Sequence, residues 1–452
     1  VQNYKNFPIL QFGGQLFQSA VGSVQSAVCS LQSAVCSRQS AVQSWRFFFV
    51  DQENFKNIDY IRNIYIIFAI VFYKIRNMIP RLLTGKLLDK MNDHKALIVL
   101  GPRQSGKTTL VKSLTDQVAT PFLWWNGDDF HVRSMLSVLS IVSLRGQLGN
   151  SPLLVIDEAQ RIENIGLCIK IIVDNIPGVK VIATGSSAFE LANRINEPMT
   201  GRKWEYILLP LSFKEMVNHH GILNEQSSLH HRMIYGYYPE VINNPGNEKE
   251  ILRQLADSYL YKDILTWENI HKPDRMEKLA RALAFQVGNQ VSYLELGQIT
   301  GLDNQTVGKY IDLLEKAFII YRLGSLSRNL RNELKSSRKI YFYDNGLRNA
   351  LINSFNPIEM RDDTGALWEN FLMTERLKYI HTHDFWCNRY FWRTHSQQEI
   401  DYIEEYDGKL HAYEFEWSQK VKRKIPSSFA KAYPDNENMI INPGNYNGFL
   451  GV

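Results

Sequence analysis

Cysteine is scarce: the 452 residues carry four, Cys29, Cys36, Cys168 and Cys387. They are too scattered for a disulfide framework and fit a reducing compartment, so a cytoplasmic protein is expected. Long hydrophobic runs are also missing. The longest, IYIIFAIVFY at 64–73, has ten residues, where a membrane-spanning helix needs about 20, so no membrane partner is expected. The chain does not open with a basic region, an apolar core and a small-residue cleavage site, which speaks against a signal peptide. Charge of one sign is nearly balanced, with 51 Lys and Arg against 46 Asp and Glu for a net +5. That permits contact with nucleic acid and does not require it. Paired zinc-ligand spacing is missing too. His219 with His220, His230 with His231, and His381, His383 and Asp384 near Cys387 show neither C-x-x-C nor H-x-x-x-H, and read as surface or core residues. What is present in quantity is apolar residue, 44% with 12% aromatic, enough for two or three packed domains.

The N-terminal stretch QSAVGSVQSAVCSLQSAVCSRQSAV returns QSAV every seven residues, from Gln18 to Gln39. A coiled coil needs better helix formers than Ser and Val, and Arg38 interrupts the apolar seam. Near-identical units read more simply as a translated tandem repeat. The organised protein is expected from Met78, where MIPRLLTGKLLDKM opens an amphipathic helix.

ALIVL at 96–100 runs into GPRQSGKTTL at 101–110, an apolar strand feeding G-x-x-x-x-G-K-[ST] and then a helix. Successive backbone N–H groups and a helix N-terminus create positive potential that surrounds phosphates, and glycines permit the tight turn. The expected phosphate cradle is Gly101, Pro102, Arg103, Gln104, Ser105, Gly106, Lys107, Thr108 and Thr109, with Lys107 on the β- and γ-phosphates and Thr108 on Mg²⁺. SPLLVIDEAQRI at 151–162 supplies a strand ending in two carboxylates. Asp157 is expected to hold Mg²⁺ and Glu158 to orient the attacking water. A third strand, VKVIATGSS at 179–187, ends in Thr184, Ser186 and Ser187, which are placed either to bond a phosphate or to cap the next helix. Strands alternating with helices predict a parallel α/β sheet with its ligand at the strands' carboxyl ends.

GPRQSGKTTL, LLVIDEAQRI, IATGSSAFEL, GRKWEYILLPLSFKE and GYYPEV, in this order, resemble the bacterial and archaeal AAA-superfamily ATP-binding proteins that carry a C-terminal domain of unknown function. The resemblance spans roughly residues 78 to 425. It implies ATP as ligand, Asp157 and Glu158 as the magnesium and water-activating pair, and Thr184 to Ser186 in the sensor position. Arg202, in the family's GR element, is implied as a γ-phosphate sensor or a group acting across subunits of a homo-oligomer.

Further on, VSYLELGQITGLDNQTVGKYIDLLEKAFIIYRLG at 291–324 has helix-turn-helix rhythm. Gln305, Thr306 and Lys309 stand near the start of its second helix, ahead of the basic SRNLRNELKSSRK at 327–339. Asp303, Asp312 and Glu315 keep that face mixed in sign, so double-stranded DNA and a protein client both stand as partners. EIDYIEEYDGKLHAYEFEWSQK at 399–420 reads as two strands around an Asp-Gly turn. Glu399 and Asp401 project together, as do Glu414 and Glu416 on the partner strand, which places four carboxylates to converge. With Glu369 on a preceding helix this outlines a restriction-endonuclease-like core. Glu416, however, stands where such a core carries its lysine, and a fourth carboxylate adds repulsion where a cation is needed, so an inactive domain is expected.

The expected organisation is an extension over 1–77, a P-loop NTPase sheet over 78–215 and a helical lid over 216–287. A winged-helix-like module over 288–338, a small α/β nuclease-like domain over 339–425 and a strand with a tail over 426–452 complete it. The expected activity is Mg²⁺-dependent ATP hydrolysis that drives or gates the C-terminal parts. The alternatives are an ATP-gated DNA-binding protein and an ATP-regulated nuclease.

Overall fold

The computed structural model describes residues 78–136, 140–186, 199–258, 273–327, 338–394, 396–418 and 425–452. The QSAV repeat, the 64–73 run, Ser187, the basic stretch 328–337, and Lys420, Lys422, Arg423 and Lys424 lie outside them. The first half runs α1 (Leu83–Asp89), β1 (Ala96–Leu100), α2 (Lys107–Val118), β2 (Phe122–Asn126), α3 (Phe130–Met135), α4 (Ile141–Leu148), β3 (Leu153–Asp157), α5 (Ile165–Asn175), β4 (Lys180–Gly185) and β5 (Lys203–Ile207). Its strands form one parallel sheet in the order β2-β3-β4-β1-β5. β1 and β3 are buried at every position, as strands covered by helices on both faces must be. Ala96, Ile98 and Leu100 of β1 join the main core, whereas Leu97 and Val99 pack on the other face with Leu110 and Leu114 of α2.

A run of short helices follows: α6 (Phe213–His220), α7 (Ile222–Ser227), α8 (Leu229–Tyr235), α9 (Pro239–Asn243) and α10 (Glu248–Ser258). Next come α11 (Pro273–Phe285), β6 (Gln290–Val291), α12 (Tyr293–Thr300), α13 (Asn304–Lys316), β7 (Ile320–Ser325) and β8 (Arg338–Phe342). Here α11 packs on both α12 and α13, while β7 and β8 form an antiparallel pair edged by β6. The last section is α14 (Asn345–Leu351), α15 (Thr364–His383), β9 (Asn388–Arg393), β10 (Glu399–Tyr406), β11 (Lys409–Phe415), α16 (Ser427–Ala432), β12 (Asn436–Ile441) and α17 (Tyr446–Phe449). One mixed sheet, β12-β11-β10-β9-β7-β8-β6, runs through both of these sections. β12 pairs with β11 in parallel, so the chain beyond residue 426 is part of this sheet. The β10–β11 hairpin turns at Asp407 and Gly408, with φ of 51° and 76°, the left-handed pair that a two-residue Asp-Gly turn uses.

Ile79–Val452 forms one compact unit, and its seam is polar and buried. The Tyr237 amide, in GYYPEV, donates to Asp344 Oδ2 at 2.7 Å, and its hydroxyl donates to Glu225 Oε1 at 2.6 Å. The Phe213 amide donates to Glu375 Oε2 at 2.7 Å, and Lys378 Nζ donates to the Leu211 carbonyl at 2.8 Å. Glu375 and Lys378 belong to α15, so the loop after β5 is fastened directly to the C-terminal section. Buried donors and acceptors of this kind are costly to leave unpaired, so these bonds hold the seam together as it stands. Among the described residues no helix is long and apolar enough to cross a membrane.

Candidate functional site

The carboxyl ends of β1, β3 and β4 bring together residues that are far apart in sequence. β4 lies between β1 and β3, pairing Val99 with Thr184 and Ile156 with Ala183, so Asp157 and Thr184 emerge side by side. Thr108 Oγ1 donates to Asp157 Oδ2 at 3.0 Å, and the Thr184 hydroxyl donates to Asp157 Oδ1. Glu158 follows with a left-handed φ of 50°. Its Oε2 accepts from Gln160 Nε2 at 2.5 Å, and the same Nε2 lies 2.8 Å from Ser186 Oγ. The Glu158 carboxylate is thereby held by Gln160, which is itself bonded to Ser186 and which the sequence did not single out.

The loop itself is a cradle. Gly101 packs so closely on the end of the fifth strand that an added Cβ would lie 2.1 Å from the Leu208 carbonyl oxygen, so only glycine fits. Gln104 is left-handed at φ 54° and Gly106 at φ 93°, which turns the chain into α2. Pro102 is buried, whereas Gln104 and Thr109 are exposed, and Arg103 Nη1 lies 3.4 Å from Ser258 Oγ. Lys107 is buried, its Nζ donating to the Gly101 and Pro102 carbonyls at 2.9 and 2.6 Å. The Ser105 hydroxyl is buried without a protein partner. A buried ammonium held by loop carbonyls and an orphaned hydroxyl in a glycine-shaped loop suit a polyanion. Thr108 and Asp157 suit a cation that completes its shell with phosphate oxygens and water. They would not hold one alone: among the described residues no three Asp, Glu, His or Cys side chains are arranged to share a metal ion.

Arg202 is not brought to this place. It precedes β5 at the amino end of the sheet, where its carbonyl accepts from the Ala96 amide and its guanidinium pairs with Asp174 at 2.6 Å. The length of β1 separates it from the loop, roughly 16 Å at about 3.3 Å per residue.

Three of the C-terminal carboxylates, Glu369, Glu399 and Asp401, converge, but around a cation. Lys339 Nζ, on β8, lies 2.7 Å from Glu399, 3.1 Å from Glu369 and 3.6 Å from Asp401, with its side chain 2% exposed. Asp401 Oδ2 also accepts from the Phe415 amide at 3.0 Å, and Tyr341 donates to Glu369 at 2.6 Å. Burial pushes the Glu369 carboxyl up to about 7 against the pull of Lys339, with Asp401 adding to the rise. Burial by itself would lower the Lys339 ammonium, but Glu369, Asp401 and Glu399 hold it above its ordinary value. The cluster therefore contains a lysine that sequence spacing around Glu414 and Glu416 did not reveal. Its one signal in the sequence was a charged residue opening the apolar strand KIYFY.

The acids that give α13 its mixed charge are engaged. Asp303 caps α13, accepting from the Gln305 and Thr306 amides at 3.0 and 2.9 Å. Asp312 pairs with Arg322 Nη1 at 2.7 Å, and Glu315 Oε2 accepts from Arg322 Nε at 2.8 Å. Gln305 and Lys309 are left on the exposed side of α13.

Residues 93–217 match the family model of an AAA domain, and residues 226–357 and 364–450 match two models of domains of unknown function, DUF8612 and DUF4143. Residues 93–217 are thus similar to an AAA domain, and the regions that follow match domains of unknown function. An uncharacterized protein of Mycobacterium tuberculosis is 24% identical over 75% of this chain and 73% of its own length. One of Methanocaldococcus jannaschii is 22% identical over 80% and 84%. Among solved structures, a Walker-type ATPase of Pyrococcus abyssi aligns with 61% of this chain and 96% of its own at 14% identity and a TM-score of 0.42. The RuvB Holliday junction branch migration motor of Thermotoga maritima aligns with 54% and 90% at 16% and 0.27.

Proposed function

We propose that the chain is a Mg²⁺-dependent ATPase whose nucleotide state repositions the C-terminal sections. The observation that carries this is the convergence of Lys107, Thr108, Asp157 and Thr184 at the carboxyl ends of neighbouring strands. Lys107 exchanges loop carbonyls for phosphate oxygens, and the Ser105 hydroxyl gains a partner. Thr108 and Asp157 would hold Mg²⁺, which would neutralise charge on the phosphates. Glu158, oriented by Gln160, positions the attacking water, and Thr184 with Ser186 reports the terminal phosphate to β4. Arg202, at the other end of the sheet, acts only on a neighbouring copy in this reading. The test is ATP turnover by the full chain with Mg²⁺, with and without duplex DNA, beside Lys107→Ala. Turnover abolished by the substitution is expected. Equal turnover in the variant would overturn the proposal.

A second reading is favoured by the clasp of Asp312 and Glu315 on Arg322. With those acids neutralised, α13 followed by the β7–β8 pair acts as a winged helix that contacts duplex DNA through Gln305, Thr306 and Lys309. The nuclease-like sheet serves as a non-hydrolytic scaffold, because Lys339 supplies inside the protein the positive charge that a catalytic metal would bring. Absence of DNA cleavage with Mg²⁺ or Mn²⁺ is the corresponding expectation.

A further inference from the structure

We infer that Arg81, which lies ahead of the first strand, is a positioning residue for the phosphate site. This rests on the nucleotide-binding reading above. Arg81 Nη1 donates to the Ser105 carbonyl at 2.6 Å, Nη2 donates to the Leu209 carbonyl at 2.6 Å, and Nε pairs with Glu215 Oε1 at 3.0 Å. The first of these bonds grips the phosphate loop itself. A peptide unit is planar and trans, so its C=O and the following N–H point in opposite directions. Holding the Ser105 oxygen against Arg81 therefore turns the Gly106 amide away from it. The outer side of the loop is the covered side: a Cβ placed on Gly106 would meet Arg81 Nη1 at 3.5 Å and Pro239 Cγ at 3.9 Å. The Gly106 N–H is thus directed to the inner side, where successive amides form the anion nest.

The anchor is firm because its other attachments are. Glu215 Oε1 also accepts from the Leu82 amide at 2.9 Å, and Glu215 Oε2 accepts from the Ser212 amide at 2.9 Å, closing the capping box of α6. The next residue, Phe213, is the one whose amide Glu375 of α15 binds. One guanidinium thus connects the loop to the segment that is fastened to the C-terminal section. Three divergent acceptors match the planar fork of arginine, and lysine, a single point donor, cannot satisfy them together.

The experiment measures the affinity of the full-length protein for Mg·ATP, reported by a fluorescent ATP analogue, with inorganic tripolyphosphate as competitor and thermal midpoints alongside. The proteins compared are wild type, Lys107→Ala, Arg81→Met and Arg81→Lys. Arg81→Met is expected to lose tenfold or more for ATP and tripolyphosphate alike while remaining folded, and Arg81→Lys is expected to recover only part of that. A folded Arg81→Met with wild-type affinity overturns the inference, as does a loss for ATP that spares tripolyphosphate. If Arg81→Met does not fold, Arg81→Lys decides: tenfold weaker binding of both ligands supports the role, and wild-type binding overturns it. A folded wild type that binds neither ligand overturns the nucleotide reading itself, and this inference with it.

Discussion

Replacing Lys339 by methionine removes one charge and almost no volume, and the structure sets the size of the effect. Three carboxylates lie within 3.6 Å of the ammonium, which is 2% exposed. Breaking a buried ion pair by removing one partner costs about 3–5 kcal/mol. Arg393, 3.5 Å from Glu399, relieves only one of the three acids, so a value in that range is expected at pH 8. The loss is also pH-dependent. Glu369 titrates at about 7 in the fold against 4.5 for the ordinary group. Because that pKa is raised, the folded state binds the extra proton, and stability falls as pH rises from about 4.5 to 7. Without the ammonium the Glu369 pKa rises further. At pH 8 that rise costs at most about 1.4 kcal/mol in all, because a carboxyl whose pKa passes 8 takes up the proton instead. At pH 5 the group is already protonated in the fold, so the same rise costs nothing. Urea unfolding followed by tryptophan fluorescence at pH 5 and pH 8 reads both quantities. A variant as stable as wild type at pH 8, or one equally destabilised at both pH values, would refute the charge-replacement reasoning.

Two other substitutions test the remaining sites. Gly101→Ala places a Cβ 2.1 Å from the Leu208 oxygen, so a loss of about 1–3 kcal/mol from overpacking is expected together with loss of ATP binding, read by thermal midpoint and nucleotide titration. Arg322→Met frees Asp312 and Glu315 on a partly exposed surface, so its stability cost is small, about 1 kcal/mol or less. Its duplex-DNA affinity should fall several-fold, measured by titration at two salt concentrations, and unchanged affinity would count against the DNA reading.

Much of the proposed nucleotide site was legible because its chemistry is local. The turn from strand to helix, the glycines, Lys107 and Thr108 occupy consecutive positions, and backbone geometry alone requires that spacing. Asp157 and Glu158 were legible from an apolar strand that ends in acid. The register setting Asp157 beside Thr184, and the Gln160 and Ser186 contacts that orient Glu158, were not, since the choice of neighbouring strands is made by packing.

The sequence by itself determined the elements and their periods: the buried run 96–100, the Asp-Gly hairpin turn and the alternation that puts Glu399 and Asp401 on one face. Only the tertiary structure decided what faces what. It placed Arg202 at the far end of its strand, carried Lys339 into the carboxylates, clasped Asp312 and Glu315 on Arg322, and set Arg81 against a carbonyl 24 residues away in the chain. Periodicity and turn chemistry act over a few residues. A buried charge instead takes whichever partner the closed fold brings within about 4 Å, because leaving it unpaired costs more than almost any local preference can offset.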